Sequence, residues 1–315
     1  MRKVVIMLCY VVTILAIAHI LQNFQGIKNT TAPSSHKSNS IGFNYVINEE
    51  HLCEDKHGVG VVLLVVVFLG ANDIYEREFI RNTWGAIAKS HPKIRLFFIL
   101  GSTFESSNTT QALQSESLQF HDIIQCDFED QYKKLVNKSF AAFRWTVHYC
   151  DRVKYVLKID SDMRIDLSSL LTVLEKPDIP DKLLCGDTVY RAPLVNRNKK
   201  HRFYVSKEEY PQLRYPDFCQ GAAYIIPRRI VGRFASSRIP ENLFPLDDNY
   251  FTGILRKELN EELHKGFLSY RHHHDKTETR LKNGRYIMNV TSRGHEIKKL
   301  RKIALKKTIV QGKQM

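Results

Sequence analysis

The segment VKYVLKIDSD, residues 153–162, decides how the chain is read. From Val153 to Ile159 the residues are mostly β-branched, aliphatic or aromatic, the composition of a strand buried on both faces. That strand runs without a break into Asp160-Ser161-Asp162. Two aspartates at i and i+2 on extended backbone face the same way, roughly 6–7 Å apart. This spacing lets one carboxylate ligate a hard divalent cation while the other orients a ribose or a bound water. Mg²⁺ and Mn²⁺ take oxygen ligands and complete their shells with substrate phosphates. The triplet alone also fits a solvated strand-end turn; the apolar strand in front of it is what points to metal-diphosphate chemistry.

Working outward, Val59–Ala71 is apolar or glycine throughout, too short to span a bilayer and suited to a doubly buried strand. Ile94–Leu100 and Asp122–Gln125 read as further strands. After the first strand, Asp73 and Glu76 form a capping pair for a helix to about Ser90 with Ile80, Trp84 and Ile87 on one face. A second helix starts near Asp130, with Leu135, Phe140 and Phe143 inward. Asp166 caps a third that carries Leu167, Leu170, Leu171 and Leu174. Alternating strands and helices predict an α/β domain with a mostly parallel central sheet flanked by helices. Such sheets bind ligands at the carboxyl ends of their strands, where Asp160 and Asp162 fall. A second acidic pair, Asp247-Asp248, stands in FPLDDNYFTGIL. Neighbouring residues point apart, so one is a candidate base and the other a helix cap. His272-His273-His274 reads as an exposed polar loop, since adjacent imidazoles diverge. The aromatics Tyr204, Tyr210, Tyr215 and Phe218 fit either core or a sugar-stacking wall.

The ends of the chain speak to compartment. Val4–Leu21 is an uncharged apolar run after Arg2 and Lys3. Its length of roughly 27 Å matches a hydrocarbon core, and the flanking basic residues favour a cytosolic N-terminus. Residues 1–3 are then a cytosolic tail, 4–21 a transmembrane signal-anchor, 22–58 a polar stem, 59–292 the catalytic domain and 293–315 a basic tail. Ala16-Ile17-Ala18 also fits a cleaved signal peptide, and both readings send the rest into the secretory pathway. Sequons at Asn29, Asn108, Asn137 and Asn289 agree. Five dispersed cysteines beyond the apolar run imply one or two disulfides and an odd thiol, not a zinc site. The 47 basic residues exceed the 33 acidic by 14, and eight of the basic ones lie after residue 292. A lumenal chain does not meet nucleic acid, so the tail reads as a solvated helix, with contact to an anionic membrane or glycan as the alternative.

With these segments in place, the chain resembles glycosyltransferase family 31, the β-1,3-galactosyltransferase-like family. Arg77-Glu78-Phe79-Ile80-Arg81-Asn82-Thr83-Trp84-Gly85 is similar to its R-x-x-I-R-x-T-W-G segment. Phe97–Gly101 resembles its F-L-L-G strand, and Asp122–Tyr132 with Leu135 and Lys138 its D-I-I-Q-x-D-F-x-D-x-Y block. Lys158-Ile159-Asp160-Ser161-Asp162 resembles K-x-D-D-D, Tyr215-Pro216 with Gly221 and Tyr224 its Y-P…G-x-x-Y, and Leu246–Gly253 its E/D-D-V-Y-x-G. Ser161 replaces the middle Asp, Lys134 a usual Asn, Asn249 a usual Val and Phe203 a usual Trp. The resemblance implies a GT-A-like (Rossmann-like) fold, a single-pass Golgi membrane protein, Mn²⁺ dependence, a UDP-sugar donor, a glycan acceptor and inversion to a β-1,3 linkage. By similarity Asp162 holds the metal with Asp160, which with Ser161 lines the nucleotide side. Arg77, Arg81 and Lys138 are donor-site candidates, and Asp248 is the base. A glycan-binding relative without turnover is the non-enzymatic alternative. A haloacid-dehalogenase-like phosphatase would place Thr or Val where Arg164 stands.

Overall fold

The computed structural model describes residues 42–53, 57–102, 107–271 and 288–292. The expected anchor at 4–21, the histidine run and the basic tail lie outside these. No helix among the described residues is long and apolar enough to cross a membrane.

The strands in chain order are β1 (Tyr45–Ile47), β2 (Leu63–Phe68), β3 (Ile94–Ser102), β4 (Ile123–Glu129), β5 (Tyr155–Asp160), β6 (Met163–Ile165), β7 (Leu183–Gly186), β8 (Val189–Tyr190), β9 (Phe218–Cys219), β10 (Ala223–Pro227), β11 (Leu263–Arg271) and β12 (Met288–Ser292). Ten form one sheet in the order β1-β4-β3-β2-β5-β10-β7-β11-β12-β6, while β8 and β9 pair separately. The run β4-β3-β2-β5 is parallel. β10 then reverses against both β5 and β7, while β11 is parallel to β7 and β12, so the sheet is mixed. The tight approach of β10 to β5 joins residues over 60 apart in sequence, a pairing no local pattern reveals.

β2 shows why the sheet is covered on both sides. Leu64, Val66 and Phe68 join one core with Phe140, Phe143, Phe234 and Phe251, while Leu63, Val65 and Val67 join another with Ile80, Leu170 and Leu171. The first core lies under α3 (Leu135–Tyr149) and α5 (Arg228–Ser236), the second under α1 (Ile74–Arg81) and α4 (Leu167–Leu174), with α2 (Ser107–Phe120) at the same side through Leu113. Asp166 caps α4 as expected, accepting from the Ser168 and Ser169 amides at 3.1 Å. α1 stops at Arg81 rather than Ser90. Gly85 folds back so closely that a β-carbon there would meet the Ile80 carbonyl at 2.9 Å, and its amide donates to that carbonyl. Asp73 precedes α1 but gives no side-chain cap; its carboxylate accepts from the Gly70 amide at 2.7 Å.

The stem also begins earlier than expected to be structured. Phe43, Tyr45 and Ile47 alternate inward, β1 pairs with β4, and Cys53 is bonded to Cys150. A three-residue strand among polar neighbours is too short to show periodicity, which is why residues 42–53 read as linker. The second disulfide joins Cys185 to Cys219, and Cys126 is a buried thiol.

Candidate active site

The parallel run sets the site. The chain leaves β2 for β3 and β4 on one side and returns to β5 on the other, so the order reverses between β2 and β5. At such switch points crevices open at the carboxyl ends of strands. Phe68, the last residue of β2, is in register with Asp160, the last of β5.

Lys158 lies two residues before Asp160 on the buried strand. Its ammonium donates to Asp160 Oδ1 at 2.6 Å and to the Gly221 carbonyl at 2.7 Å, and stands 3.9 Å from Asp247 Oδ2. The Phe68 ring lies 4.9 Å beneath it. Burial opposes its charge, but Asp160, Asp247 and Asp248 outweigh that and hold it above the usual lysine range. A lone lysine in an otherwise buried strand demands such partners. This residue was missed at the sequence level, although its place inside VKYVLKI was the available signal.

Asp247 and Asp248 divide their tasks differently from expectation. Asp247 is the more deeply buried of the two, accepting from Ser139 Oγ at 3.3 Å and facing Lys158. Asp248 is the helix cap: its Oδ1 accepts from the Asn249 amide at 2.8 Å, opening a π-helix over Asn249–Leu255. Such segments cluster at functional sites. Thr252 Oγ1 donates to the Asp248 carbonyl at 2.6 Å and accepts from the Cys219 amide at 2.9 Å, so the disulfide-tied β9 buttresses the pair. Gly221 faces Asp248 so closely that a β-carbon would sit 2.9 Å from Oδ2. Burial, and then the neighbouring Asp247 charge, push the Asp248 carboxyl up to about 7; Lys158 and the Asn249 amide oppose them. A carboxylate poised there suits proton acceptance near neutral pH.

Asp162 is exposed on the turn after β5, beside a half-exposed Ser161, and Asp160 keeps 43% of its side chain exposed. Among the described residues no group of three or more His, Cys, Asp and Glu side chains forms a metal cage. The donor set fits instead a hard cation that takes one or two carboxylate oxygens here and the rest of its shell from phosphates and water. With Asp160 already paired to Lys158, Asp162 is the carboxylate open to such an ion.

The three basic candidates separate. Lys138 is buried and donates to the Leu69 carbonyl at 2.8 Å and to Asp130, which also accepts from the Gly101 amide. It therefore stitches together the carboxyl ends of β2, β3 and β4, and burial holds it below the usual lysine range. Arg77 is fully buried, bidentate to Glu116 at 2.6–2.7 Å and bonded to the carbonyls of Gly70 and Ala71, which shape the loop after β2. Arg81 binds Asp122 bidentately and Glu116 at 2.6 Å. Asp122 immediately precedes β4, level with the middle of β3, and the Arg81 guanidinium lies 4.9 Å over the Phe98 ring. Of the aromatics, Tyr215 and Phe218 are buried and belong to the core. Glu209 is spent on the Ser206 amide, in an exposed loop.

Fold and site together define a mixed α/β protein with a cluster of carboxylates around a buried lysine at a switch point. Residues 75–265 match the family described as Galactosyltransferase, and the chain belongs to that family. It is 32% identical over 249 residues to beta-1,3-galactosyltransferase 2 of Mus musculus, covering 75% of this chain and 58% of that one. Identity to beta-1,3-galactosyltransferase 1 of Mus musculus is 30%, covering 70% and 66%. The lactosylceramide 1,3-N-acetyl-beta-D-glucosaminyltransferase B of Xenopus laevis is 28% identical, covering 73% of this chain and 62% of its own length. The match thus spans less than two thirds of these relatives.

Proposed function

We propose that this protein is a hexosyltransferase of GT-A type that moves galactose or an N-acetylhexosamine from a UDP-sugar to a glycan hydroxyl. It acts with inversion, forms a β-1,3 linkage and works in the Golgi lumen on a membrane anchor. The observation that carries the proposal is the convergence of Asp160, Lys158, Asp247 and Asp248 at the carboxyl end of β5, supported by family membership.

Asp162, with Asp160, would hold Mn²⁺ against the donor diphosphate; the ion supplies counter-charge for the departing UDP. Lys158 pairs with Asp160 and holds it in place. Asp248 accepts the proton of the acceptor hydroxyl at its carboxylate, and Gly221 leaves the space in which that carboxylate stands. One displacement with a base opposite the leaving group inverts the anomeric carbon without a covalent intermediate.

Asp162→Asn tests the metal assignment, since it keeps size and loses charge. Mn²⁺-dependent UDP binding should disappear in calorimetry. Wild-type affinity in the variant would remove Asp162 from the metal site.

A further inference from the structure

Between β8 and β9 the chain carries a basic loop, VNRNKKHRFYVSK, residues 195–207. Arg197 closes it, donating to the carbonyls of Val205, Ser206, Tyr210 and Gln212. Lys199, Lys200 and Arg202 are thereby left on the outside, exposed. The Arg202 guanidinium lies 4.6 Å from the Phe203 ring and 5.3 Å from the Tyr132 ring, and donates to Tyr132 Oη at 3.1 Å. Tyr132 and Phe203 are 48% and 40% exposed, and Tyr132 adjoins the exposed Lys133. No carboxylate among the described residues lies within 4.0 Å of the side-chain nitrogens of Lys133, Lys199, Lys200 or Arg202.

The Tyr132 side of this cluster is linked to the carboxyl ends of the parallel strands. Tyr132 follows Asp130, which is tied through Lys138 to the Leu69 carbonyl, one residue past Phe68 and its register partner Asp160. At the other end of the loop, Tyr210 packs 5.1 Å from Tyr215. A guanidinium held over an aromatic face keeps its N–H donors in its own plane, and the edge not used by Tyr132 presents a fork that matches a carboxylate or sulfate. The ring faces, with negative quadrupoles, suit the C–H face of a pyranose. Nucleic acid would use the same charges, but the lumenal placement proposed above excludes it.

Resting on the transferase assignment, we propose that Tyr132, Arg202 and Phe203 bind an anionic acceptor, a glycan whose sugar bears a carboxylate or a sulfate ester. The three lysines add long-range attraction that salt screens.

The test uses the full chain titrated with a glucuronate-terminated disaccharide, a sulfated galactoside and the neutral counterpart of each, followed by calorimetry. At least one charged sugar should bind about fivefold or more tighter than its neutral partner, in keeping with charge-assisted bidentate bonds at a partly exposed site. The carboxylate and sulfate arms show which anion is preferred. Arg202→Ala should bring the ratio close to one, and Arg202→Lys should restore only part of it. Equal binding of charged and neutral sugars by the wild type overturns the proposal. A preference that survives Arg202→Ala also overturns it, placing the anion elsewhere, such as on the basic residues after 292. UDP binding on the same samples reports on the donor site separately: its loss would sink the transferase assignment while the charged-to-neutral ratio is still read.

Discussion

Asp248→Asn should cripple turnover and strengthen the fold at the same time. The carboxyl is pushed from an ordinary 3.8 up to about 7. At 1.36 kcal/mol per unit, the native state gives up as much as about 4 kcal/mol to hold this charge once pH exceeds that value. The sign follows from proton counts. Below about pH 4 the group is neutral both folded and unfolded, and wild type and variant should be alike. Between about 4 and 7 the unfolded chain loses the proton while the native one keeps it, so wild-type stability falls as pH rises. Asparagine never carries the charge, can still accept from the Asn249 amide, and fits beside Gly221. A net gain of about 1–3 kcal/mol at pH 8 is expected, roughly 3–8 °C in Tm for a domain of this size. Thermal denaturation at pH 4.5, 6 and 8 measures it. Steady-state UDP release should show kcat reduced by at least about a hundredfold, while the wild-type rate climbs with pH through about 7. A variant that is less stable at pH 8, or a difference that does not grow with pH, would refute the buried-base argument.

Two other substitutions separate structure from chemistry. Gly221→Ala would put a methyl 2.9 Å from Asp248 Oδ2 and displace that carboxylate; kcat should fall tenfold or more while Mn²⁺-dependent UDP affinity is kept, both read on one preparation. Arg81→Gln leaves Asp122 without its bidentate partner, while Glu116 keeps Arg77, at a cost of about 3–5 kcal/mol. Urea denaturation should show that loss with UDP affinity near wild type, and a selective loss of UDP binding would return Arg81 to the donor site.

What could be read from sequence was what is local. The strand ending in Asp160, the doubly buried β2 and the Asp166 cap each announce themselves within ten residues, because burial and capping act over that range. The Lys158 partnership was not legible, since its second carboxylate lies almost 90 residues on and reaches it only after β10 has turned back against β5. The π-helix after Asp248 was equally hidden: NYFTGIL reads as ordinary helix, and the close packing of Gly253 on Phe218 arises only in three dimensions. Motif order placed Arg77 and Arg81 together, and the two do share the Glu116 carboxylate, but only Arg77 reaches the carbonyls of the loop after β2. The division between Asp247 and Asp248 turned on which side chain faced Ser139, a contact more than 100 residues apart.

The central claim is that this protein transfers a sugar from a UDP donor with the help of a divalent ion. The most direct measurement is UDP release from UDP-galactose, UDP-N-acetylglucosamine and UDP-N-acetylgalactosamine, each with and without Mn²⁺ and with simple glycoside acceptors. The account predicts acceptor-stimulated UDP release from at least one donor, abolished by chelation and by Asp162→Asn, with a β-linked product. Acceptor-stimulated release that continues undiminished under chelation, or no release from any donor by protein that binds UDP, would contradict it.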